Sequence, residues 1–238
     1  MRIDVYATQC GVADREIKDR VVVVVDVLRA TSVVVTAINN RCRDIIPVIE
    51  IEEAVNMSKN YDREAVLLAG ERNAKKIDGF DLSNSPLEYT QDVIEGKTII
   101  LTTTNGTRAI KNCSDAKDIF IGSMLNARAV AEAITKSGED VTIICAGTEG
   151  RFSLDDIVAS GLIIHEVING GADVELNDLG LVCRELYSVY GDNVHDILKD
   201  TYHYNQLLEA GFKEDIDYCL RKNIIDKVPR YIDGVIKL

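Results

Sequence analysis

Four short apolar runs of the sequence each lead into a segment rich in acidic, basic and hydroxyl side chains. They read VVVVVDVLRATS from Val21, AVLLAGERNAKK from Ala65, TIILTTTNGTRA from Thr98 and VTIICAGTEGRFSLDD from Val141. Arginine offers a bidentate fork to phosphate, hydroxyl and amide groups cradle phosphate oxygens, and carboxylates hold a divalent cation that bridges phosphate to protein. The four segments together therefore predict a site for a small phosphate ester. Their polar side chains are Asp26, Arg29, Thr31, Ser32, Glu71, Arg72, Asn73, Thr103, Thr104, Asn105, Thr107, Arg108, Glu149, Arg151, Ser153, Asp155 and Asp156.

The charge of the whole chain bears on how an anion could bind there. The sequence has 27 basic and 39 acidic side chains, which gives a formal net charge of −12. This charge repels an anionic substrate at long range, so local arginines and a metal ion must overcome it within a screening length of about 8 Å. We therefore expect Mg²⁺ as a cofactor. The acidic balance also argues against nucleic acid as a partner.

Two of the acidic residues also have plainer interpretations. Asp26 follows five valines, where an ionised carboxylate is costly unless a metal ion or an arginine compensates it. It could instead cap the following helix or pair with Arg29. Glu71 and Arg72 follow an apolar run directly, and they could be no more than a surface pair in a turn.

The other two segments leave similar alternatives open. The dipeptide Asn105-Gly106 is a common turn signal, although the three threonines before it are less usual in an ordinary turn. Asp155 and Asp156 could simply be acidic residues in the first turn of a helix, where they interact favourably with its dipole. We expect at least one of these two aspartates to face the site.

A thiolate phosphatase is a further alternative, because Cys145 is separated from Arg151 by five residues between a predicted strand and a predicted helix. In such enzymes the loop amides bind phosphate and the thiolate attacks phosphorus. Ile144 stands where that pattern has a histidine, however, and Glu149 would place a carboxylate inside the phosphate cradle. An aspartyl-phosphate mechanism of the haloacid dehalogenase kind is not favoured, because Leu28 replaces the second aspartate of its D-x-D motif.

The elements that must position these groups are predicted strands alternating with helices. The apolar runs do not alternate with polar residues, which is typical of strands covered on both faces and of a largely parallel or mixed sheet. We therefore expect an α/β fold, a three-layer α/β/α sandwich, with the loops gathered at the carboxyl ends of the strands. Helices are predicted over 32–40, 51–61, 107–113, 125–137, 154–169 and 177–190, further strands over 2–8, 45–49 and 119–121, and mostly helix over the last 40 or so residues.

Composition limits the class of protein. The chain has 238 residues, only three prolines and no Gly/Ser-rich linker, so we expect a single domain over residues 1–238. No apolar stretch approaches the roughly 18 residues of a membrane helix, and no signal-peptide core is visible, so we expect a cytoplasmic protein without a membrane partner. The six cysteines form no C-x-x-C pair and the three histidines lack zinc-ligand spacing, which favours reduced thiols and a hard cation.

At the four loops the sequence resembles the 2-phosphosulfolactate phosphatase family. The similar blocks are VDVLRATS at 25–32, GERNAKKIDGFDLSNSPLEY at 70–89, LTTTNGTRA at 101–109 and CAGTEGRFSLDD at 145–156. They span most of residues 20–165 in the expected order. The resemblance implies a magnesium-dependent phosphatase that hydrolyses 2-phospho-3-sulfolactate to 3-sulfolactate and inorganic phosphate. In organisms that make coenzyme M, the reaction serves its biosynthesis; elsewhere it would serve sulfolactate formation.

The resemblance also implies roles for individual residues. It assigns Asp26, Glu71 and Asp155 as magnesium ligands, with Glu149 or Asp156 as substitutes. The implied catalytic residues are Asp26, Arg29, Arg72 and Asp155, where both arginines bind phosphate. The implied substrate-binding residues are Asn84, Ser85, Thr103, Thr104, Asn105, Gly106, Thr107 and Arg151.

The expected mechanism combines these groups. Magnesium neutralises phosphoryl oxygens, arginines stabilise the transition state, and a carboxylate orients an attacking water, with Asp26 as an alternative nucleophile. A protein that binds an organophosphate or sulfonate without hydrolysing it remains an alternative, although its need for so many carboxylates is unexplained. A homodimer is expected only because dimers are common.

Overall fold

A largely parallel sheet with helices on both faces forms the fold, as seen in a computed structural model that describes residues 1–10 and 12–238. The strands are β1 (Arg2–Tyr6), β2 (Val21–Val25), β3 (Asp44–Pro47), β4 (Val66–Arg72), β5 (Lys75–Lys76), β6 (Thr98–Thr102), β7 (Asp118–Gly122), β8 (Val141–Cys145), β9 (Glu175–Leu176), β10 (Arg230–Ile232) and β11 (Val235–Lys237). The helices are α1 (Ala30–Asn39), α2 (Ile51–Ser58), α3 (Gln91–Ile94), α4 (Gly106–Lys111), α5 (Ala127–Ser137), α6 (Leu154–Asn169), α7 (Asp178–Tyr190), α8 (Val194–Leu198), α9 (Tyr202–Glu209) and α10 (Lys213–Cys219).

The central strands are buried along their whole length. β2, β6 and β8 have every residue buried, and β2 consists of five valines. β-branched side chains fit a pleated surface that is covered on both faces, and each fully buried valine contributes roughly 1.5–3 kcal/mol. The apolar runs that lead into the polar loops are therefore the strands that hold those loops in place.

The sheet contains two groups of parallel strands joined by an antiparallel hairpin. β4, β6 and β3 are parallel neighbours, and so are β7, β2, β8, β1 and β9. The hairpin of β10 and β11 lies between the groups, with β11 paired to β3 and β10 paired to β7, both antiparallel. The end of the chain thus connects the two halves of the sheet.

Two large apolar clusters occupy opposite faces of β2. Val21, Val23 and Val25 belong to the cluster that contains α5, α6 and α7. Val22 and Val24 belong to the cluster that contains α1 and α4. A third, smaller cluster joins α2 to β4 and β6. Helices on both faces of the sheet confirm the three-layer α/β sandwich predicted from the sequence.

The prediction for the last 40 residues was wrong in part. Helices α9 and α10 lie there, but they are followed by the β10–β11 hairpin, whose strands have only three residues each. Strands this short carry little periodic signal, and their pairing to β3 and β7 is a long-range effect. Within residues 1–10 and 12–238, no helix has the length and apolar character needed to cross a bilayer.

Candidate active site

One cavity gathers residues from all four strand-end loops and from α9. The loops are held together by hydrogen bonds: the backbone N–H of Thr104 donates to Glu71, and that of Glu149 donates to Asn105. The residues that line the cavity are Asp26, Leu28, Arg29, Glu71, Asn73, Ala74, Asn84, Thr103, Thr104, Asn105, Thr148, Glu149, His203, Gln206 and Leu207. The four loops therefore lie together around one cavity, as expected from the sequence.

Asp26 and Glu71 are the two buried carboxylates on the cavity wall. Oδ1 of Asp26 accepts the backbone N–H of Ala30 at 3.3 Å, and its Oδ2 accepts no hydrogen bond from the residues that the structure describes. The two oxygens of Glu71 accept the backbone N–H groups of Thr104 at 2.8 Å and Ala74 at 3.0 Å. Backbone donors therefore fix Glu71 at both oxygens, while Asp26 keeps one oxygen available to a bound group.

The environment of Asp26 disfavours its charged form. Burial raises the pKa of Asp26 to about 7, and the nearby carboxylates Asp155 and Glu71 add to the rise, while His203 opposes it. A bound cation would relieve this cost, because it would add positive charge next to Asp26 beyond that of His203, which does not offset the burial. The alternative of a plain helix cap accounts for Oδ1 of Asp26 but not for its Oδ2.

The donor set fits a hard cation such as Mg²⁺. Asn84 is 5% exposed and lines the cavity, yet its Oδ1 has no hydrogen-bond partner among the described residues. No group of three or more His, Cys, Asp or Glu side chains in that same part of the chain is arranged to hold a metal ion. What the cavity wall offers is two buried carboxylates, those of Asp26 and Glu71, and the amide group of Asn84. Magnesium characteristically takes one or two carboxylates and completes its octahedron with water and substrate phosphate.

Asp155 lies behind the cavity wall, paired with a histidine. Its Oδ2 is 3.3 Å from Nδ1 of His203, and its Oδ1 accepts a hydrogen bond from the hydroxyl of Ser153. Burial acts to raise the pKa of Asp155, but the charge of His203 and the hydrogen bond from Ser153 outweigh it and lower the pKa. Asp155 thus does not line the cavity with Asp26 and Glu71. It lies beside His203, which lines the cavity, and forms an ion pair with that imidazole when it is protonated.

Asp156, the predicted substitute ligand, has a structural role. Its Oδ1 accepts the backbone N–H of Val27 at 2.9 Å and its Oδ2 accepts that of Gly147 at 3.0 Å. Burial raises its pKa well above the usual range, and the charges of Asp155 and Asp26 add to the rise. The side chain ties the loop after β2 to the loop after β8, so it helps to hold the cavity together without facing it.

Arg29 is the arginine that the structure places in the cavity. The alternative that Asp26 merely pairs with it does not match the contacts, because Nη1 of Arg29 lies 2.5 Å from Oδ2 of Asp215. Nη2 of Arg29 donates to the carbonyl oxygen of Ala74 at 3.2 Å. Ser85, a predicted substrate residue, is absent from the cavity lining and donates its hydroxyl to Oδ1 of Asp215 at 2.7 Å.

The other two predicted arginines lie elsewhere. The guanidinium of Arg72 donates to the carbonyl oxygens of Glu71 and Ile49 and to the hydroxyl of Thr102, and Arg72 is not on the cavity wall. Arg151 is exposed and lies in a neighbouring groove that shares His203 with the cavity. Of the three, the structure brings only Arg29 to the site.

The threonine-rich loop contributes its first half to the cavity. Thr103, Thr104 and Asn105 line it. Thr107 faces inward on the loop itself: its hydroxyl accepts the N–H of Thr103 at 3.2 Å, and the hydroxyl of Thr103 accepts the N–H of Thr107 at 3.1 Å. Gly106 packs against Asp26, so close that a Cβ on it would lie 2.6 Å from Oδ2 of Asp26. Thr107 and Gly106 therefore shape the site, and neither lines it.

The thiolate alternative does not match the structure. Cys145 has no exposed surface, lies within an apolar cluster and does not line the cavity. Burial raises the pKa of its thiol well above the usual value. The loop amides are also occupied, because Thr148 and Arg151 donate to each other's carbonyl oxygens and Gly147 donates to Asp156. A phosphate cradle would need those N–H groups free.

His203, Gln206 and Leu207 of α9 were missed by the sequence analysis, as was Asp215 of α10. None of them belongs to a short motif, and they reach the loops only because the carboxyl-terminal helices fold over the cavity. The one signal in the sequence was that His203 is one of only three histidines; its contact with Asp155 is visible only in the structure.

Known proteins resemble this chain over its whole length. The family model described as 2-phosphosulpholactate phosphatase matches residues 6–234. A protein of Caldanaerobacter subterraneus subsp. tengcongensis, named "Probable 2-phosphosulfolactate phosphatase", is 49% identical over 237 residues, which cover 100% of this chain and 98% of that protein. Proteins of the same name from Clostridium acetobutylicum and Clostridium tetani are 45% and 46% identical, covering 99% and 100% of this chain and 100% of each relative.

Proposed function

The chain belongs to the 2-phosphosulfolactate phosphatase family, and from this membership we propose that it is a phosphoric monoester hydrolase that converts 2-phospho-3-sulfolactate to 3-sulfolactate and inorganic phosphate. The observation that carries the proposal is the single cavity in which Asp26, Glu71, Arg29 and His203 meet. A reaction with this product would serve sulfolactate or coenzyme M biosynthesis, and that role is part of the proposal. A cytoplasmic location and a homodimer stay predictions from the sequence.

The substrate's chemistry matches the mixture of groups in the cavity. It carries a phosphate, a sulfonate and a carboxylate on three carbons, so it needs several donors in a small volume. Arg29 and His203 supply positive charge, while Thr103, Thr104 and Gln206 supply neutral polar groups. The carboxylates would repel such an anion unless a cation lay between them and the phosphate.

Magnesium dependence is part of the proposal. Asp26 and Glu71 would hold the ion, and Asn84 would add the oxygen that has no partner among the described residues. Bound there, the ion would act as a Lewis acid on the phosphoryl oxygens. Two carboxylates, one amide oxygen and water match the ligand preference of Mg²⁺.

The remaining steps belong to the protein's own side chains. Arg29 binds phosphoryl oxygens, and its charge stabilises the transition state. His203, whose Nδ1 lies beside the carboxylate of Asp155, donates the proton that the ester oxygen needs as it leaves. Asp26, with Oδ2 free of hydrogen bonds from the described residues, orients the attacking water; direct attack by Asp26 would instead leave an acyl phosphate that rapid quench can trap.

Release of inorganic phosphate tests the proposal. With magnesium present, the purified protein should release phosphate from 2-phospho-3-sulfolactate, and 2-phospholactate, which lacks only the sulfonate, serves as the matched substrate. We expect hydrolysis of the sulfonated ester to be faster, and we expect chelation of the metal to abolish it. Binding of the ester with no phosphate release from any phosphomonoester would contradict the enzyme and favour a binding protein.

A further inference from the structure

The buried guanidinium of Arg29 has three contacts within the described residues, all with parts of the chain that are distant in sequence. Its side chain is 1% exposed and pairs with Asp215 of α10 at 2.5 Å. Nη2 donates to the carbonyl of Ala74 in the β4–β5 turn, and the ring of Phe212 lies 3.9 Å from the guanidinium carbon. A planar cation over an aromatic face, with a carboxylate at one edge, has little freedom to rotate.

The carboxylate that holds Arg29 is itself fixed. Oδ1 of Asp215 accepts the hydroxyl of Ser85 at 2.7 Å, while Oδ2 receives Arg29, so both oxygens have a partner. Asp215 is 4% exposed and does not line the cavity. Its two neighbours come from residues more than a hundred positions away in the sequence. These contacts therefore fix the position of the Arg29 guanidinium and do not only balance its charge.

Arg29 nevertheless keeps donors for a ligand. A guanidinium has five N–H groups, and the described contacts of Arg29 with Asp215 and Ala74 use two of them. The residue lines the cavity together with Asp26. The contacts with Asp215 and Ala74 therefore set the direction in which the remaining N–H groups point.

We infer that Asp215 is a positioning residue that aims Arg29 at the phosphate, and that Ser85 supports it. The inference rests on the proposed function for the identity of the anion. It assigns to α10 the carboxylate that positions Arg29, a role that no residue of the four strand-end loops fills. Because a misplacement of about 1 Å can cost roughly 100-fold in rate, a small displacement of this carboxylate should be measurable.

The inference is tested by two substitutions, both of which keep the negative charge at position 215. Asp215→Glu moves the carboxylate by one methylene, and Ser85→Ala removes the hydroxyl that fixes it. We expect Asp215→Glu to weaken the binding of orthophosphate, measured by calorimetry with magnesium present, and to lower kcat/KM by about 10- to 100-fold. Ser85→Ala should weaken both by a smaller factor. The matched control is Asp217→Glu on the same helix, since the side chain of Asp217 is 42% exposed and pairs with Lys213.

Each result decides between explanations. If Asp215 only supplied charge, Asp215→Glu would bind orthophosphate as the wild type does. If it were only structural, the melting temperature would fall without a change in that binding. Unchanged orthophosphate binding in both variants, with or without a lower melting temperature, would overturn the inference. If Asp215→Glu does not fold, Ser85→Ala alone decides the test. Wild-type protein that binds orthophosphate but leaves 2-phospho-3-sulfolactate intact would overturn the proposed substrate, and the binding comparison would still decide the role of Asp215.

Discussion

Nδ1 of His203 lies 3.3 Å from Oδ2 of Asp155, so a residue of α9 is joined to the first turn of α6 behind the cavity wall. Burial acts to lower the pKa of His203, but the charges of Asp155 and Asp26 outweigh it and raise the pKa. The imidazole therefore keeps its proton to a higher pH than an isolated histidine. This is the property that a proton donor to a leaving oxygen requires.

The first prediction concerns the pH dependence that this pair creates. Asp155→Asn removes the charge that favours protonated His203, so the alkaline limb of the kcat/KM profile should move to lower pH. His203→Gln should remove that limb and lower kcat by about 10²-fold or more. Profiles of rate against pH measure both effects. His195→Gln is the control, because His195 lies away from the cavity and its Nδ1 contacts Tyr204; an unshifted limb in Asp155→Asn would contradict the assignment.

The second prediction concerns the stability of the protein without metal. Burial raises the pKa of Asp26 to about 7 in the folded state, whereas it is near 4 in an unfolded chain. Between these values the folded state binds more protons than the unfolded state, so stability falls as pH rises from about 4 to about 7. Asp26→Asn should therefore raise the melting temperature at pH 8, where wild-type Asp26 is charged, and should have little effect at pH 4.

Thermal melts in chelator at the two pH values measure this difference. The gain should be on the order of a few kcal/mol at pH 8, with about 2–4 °C in melting temperature for each kcal/mol. The same variant should lose hydrolysis, since it lacks the proposed ligand. Glu149→Gln is the control, because Glu149 is exposed at the mouth of the cavity. A lower melting temperature for Asp26→Asn at pH 8 would contradict a buried, uncompensated charge.

The third prediction concerns magnesium binding. If Asp26 and Glu71 hold the ion, magnesium should raise the melting temperature of the wild type, because a ligand at about 100 times its Kd stabilises the fold by about 2.7 kcal/mol. Glu71→Gln should lose most of that shift. Titration calorimetry of the metal alone gives the same comparison without substrate. Asp81→Asn is the control, since Asp81 pairs with Arg63 outside the cavity; equal shifts in wild type and Glu71→Gln would exclude Glu71 as a ligand.

The fourth prediction separates the two chemistries that the sequence allowed. Cys145→Ser should retain kcat within about threefold, because the thiol is buried in the core and does not reach the cavity. The new hydroxyl can bond to Ser160, whose Oγ lies 3.4 Å from the sulfur, so the loss of stability should be modest. Steady-state kinetics and a thermal melt measure these effects. A loss of more than about a thousandfold in kcat would contradict this prediction and support a mechanism in which the thiolate of Cys145 attacks phosphorus.

The sequence predicted the elements of the fold because strands such as β2 and helices such as α6 carry strong local patterns. The helix over 154–169 has the predicted bounds, and the five valines of β2 are the buried strand that leads into Asp26. The order of strands in the sheet was beyond prediction, since β10 and β11 lie between β3 and β7, which are far from them in sequence. Short strands depend on partners that are distant in sequence.

The site was predictable to the extent that its residues lie at strand ends. Asp26, Glu71 and Asn105 line the cavity, because the end of a buried strand fixes the side chain that follows. The roles of the arginines could not be predicted in this way. Arg72 ends β4 and Arg29 lies in the loop after β2, so both belong to strand-end segments. Only the direction of each guanidinium distinguishes them. Side-chain direction depends on packing, which spacing along the chain does not encode.

The fifth prediction concerns Gly106, the first residue of α4. A Cβ at this position would lie 2.5 Å from Cβ of Ala30 and 2.6 Å from Oδ2 of Asp26, both far inside van der Waals contact. Alanine would favour the helix by at most about 1 kcal/mol, but relieving two such contacts must displace the carboxylate or α1. We therefore expect Gly106→Ala to lower kcat/KM by about 10²-fold or more, and to weaken magnesium binding, with a smaller effect on the melting temperature. Gly170→Ala at the end of α6 is the control, since its Cβ would approach nothing closer than 3.3 Å; wild-type kinetics in Gly106→Ala would show that Asp26 does not need the position seen in the structure.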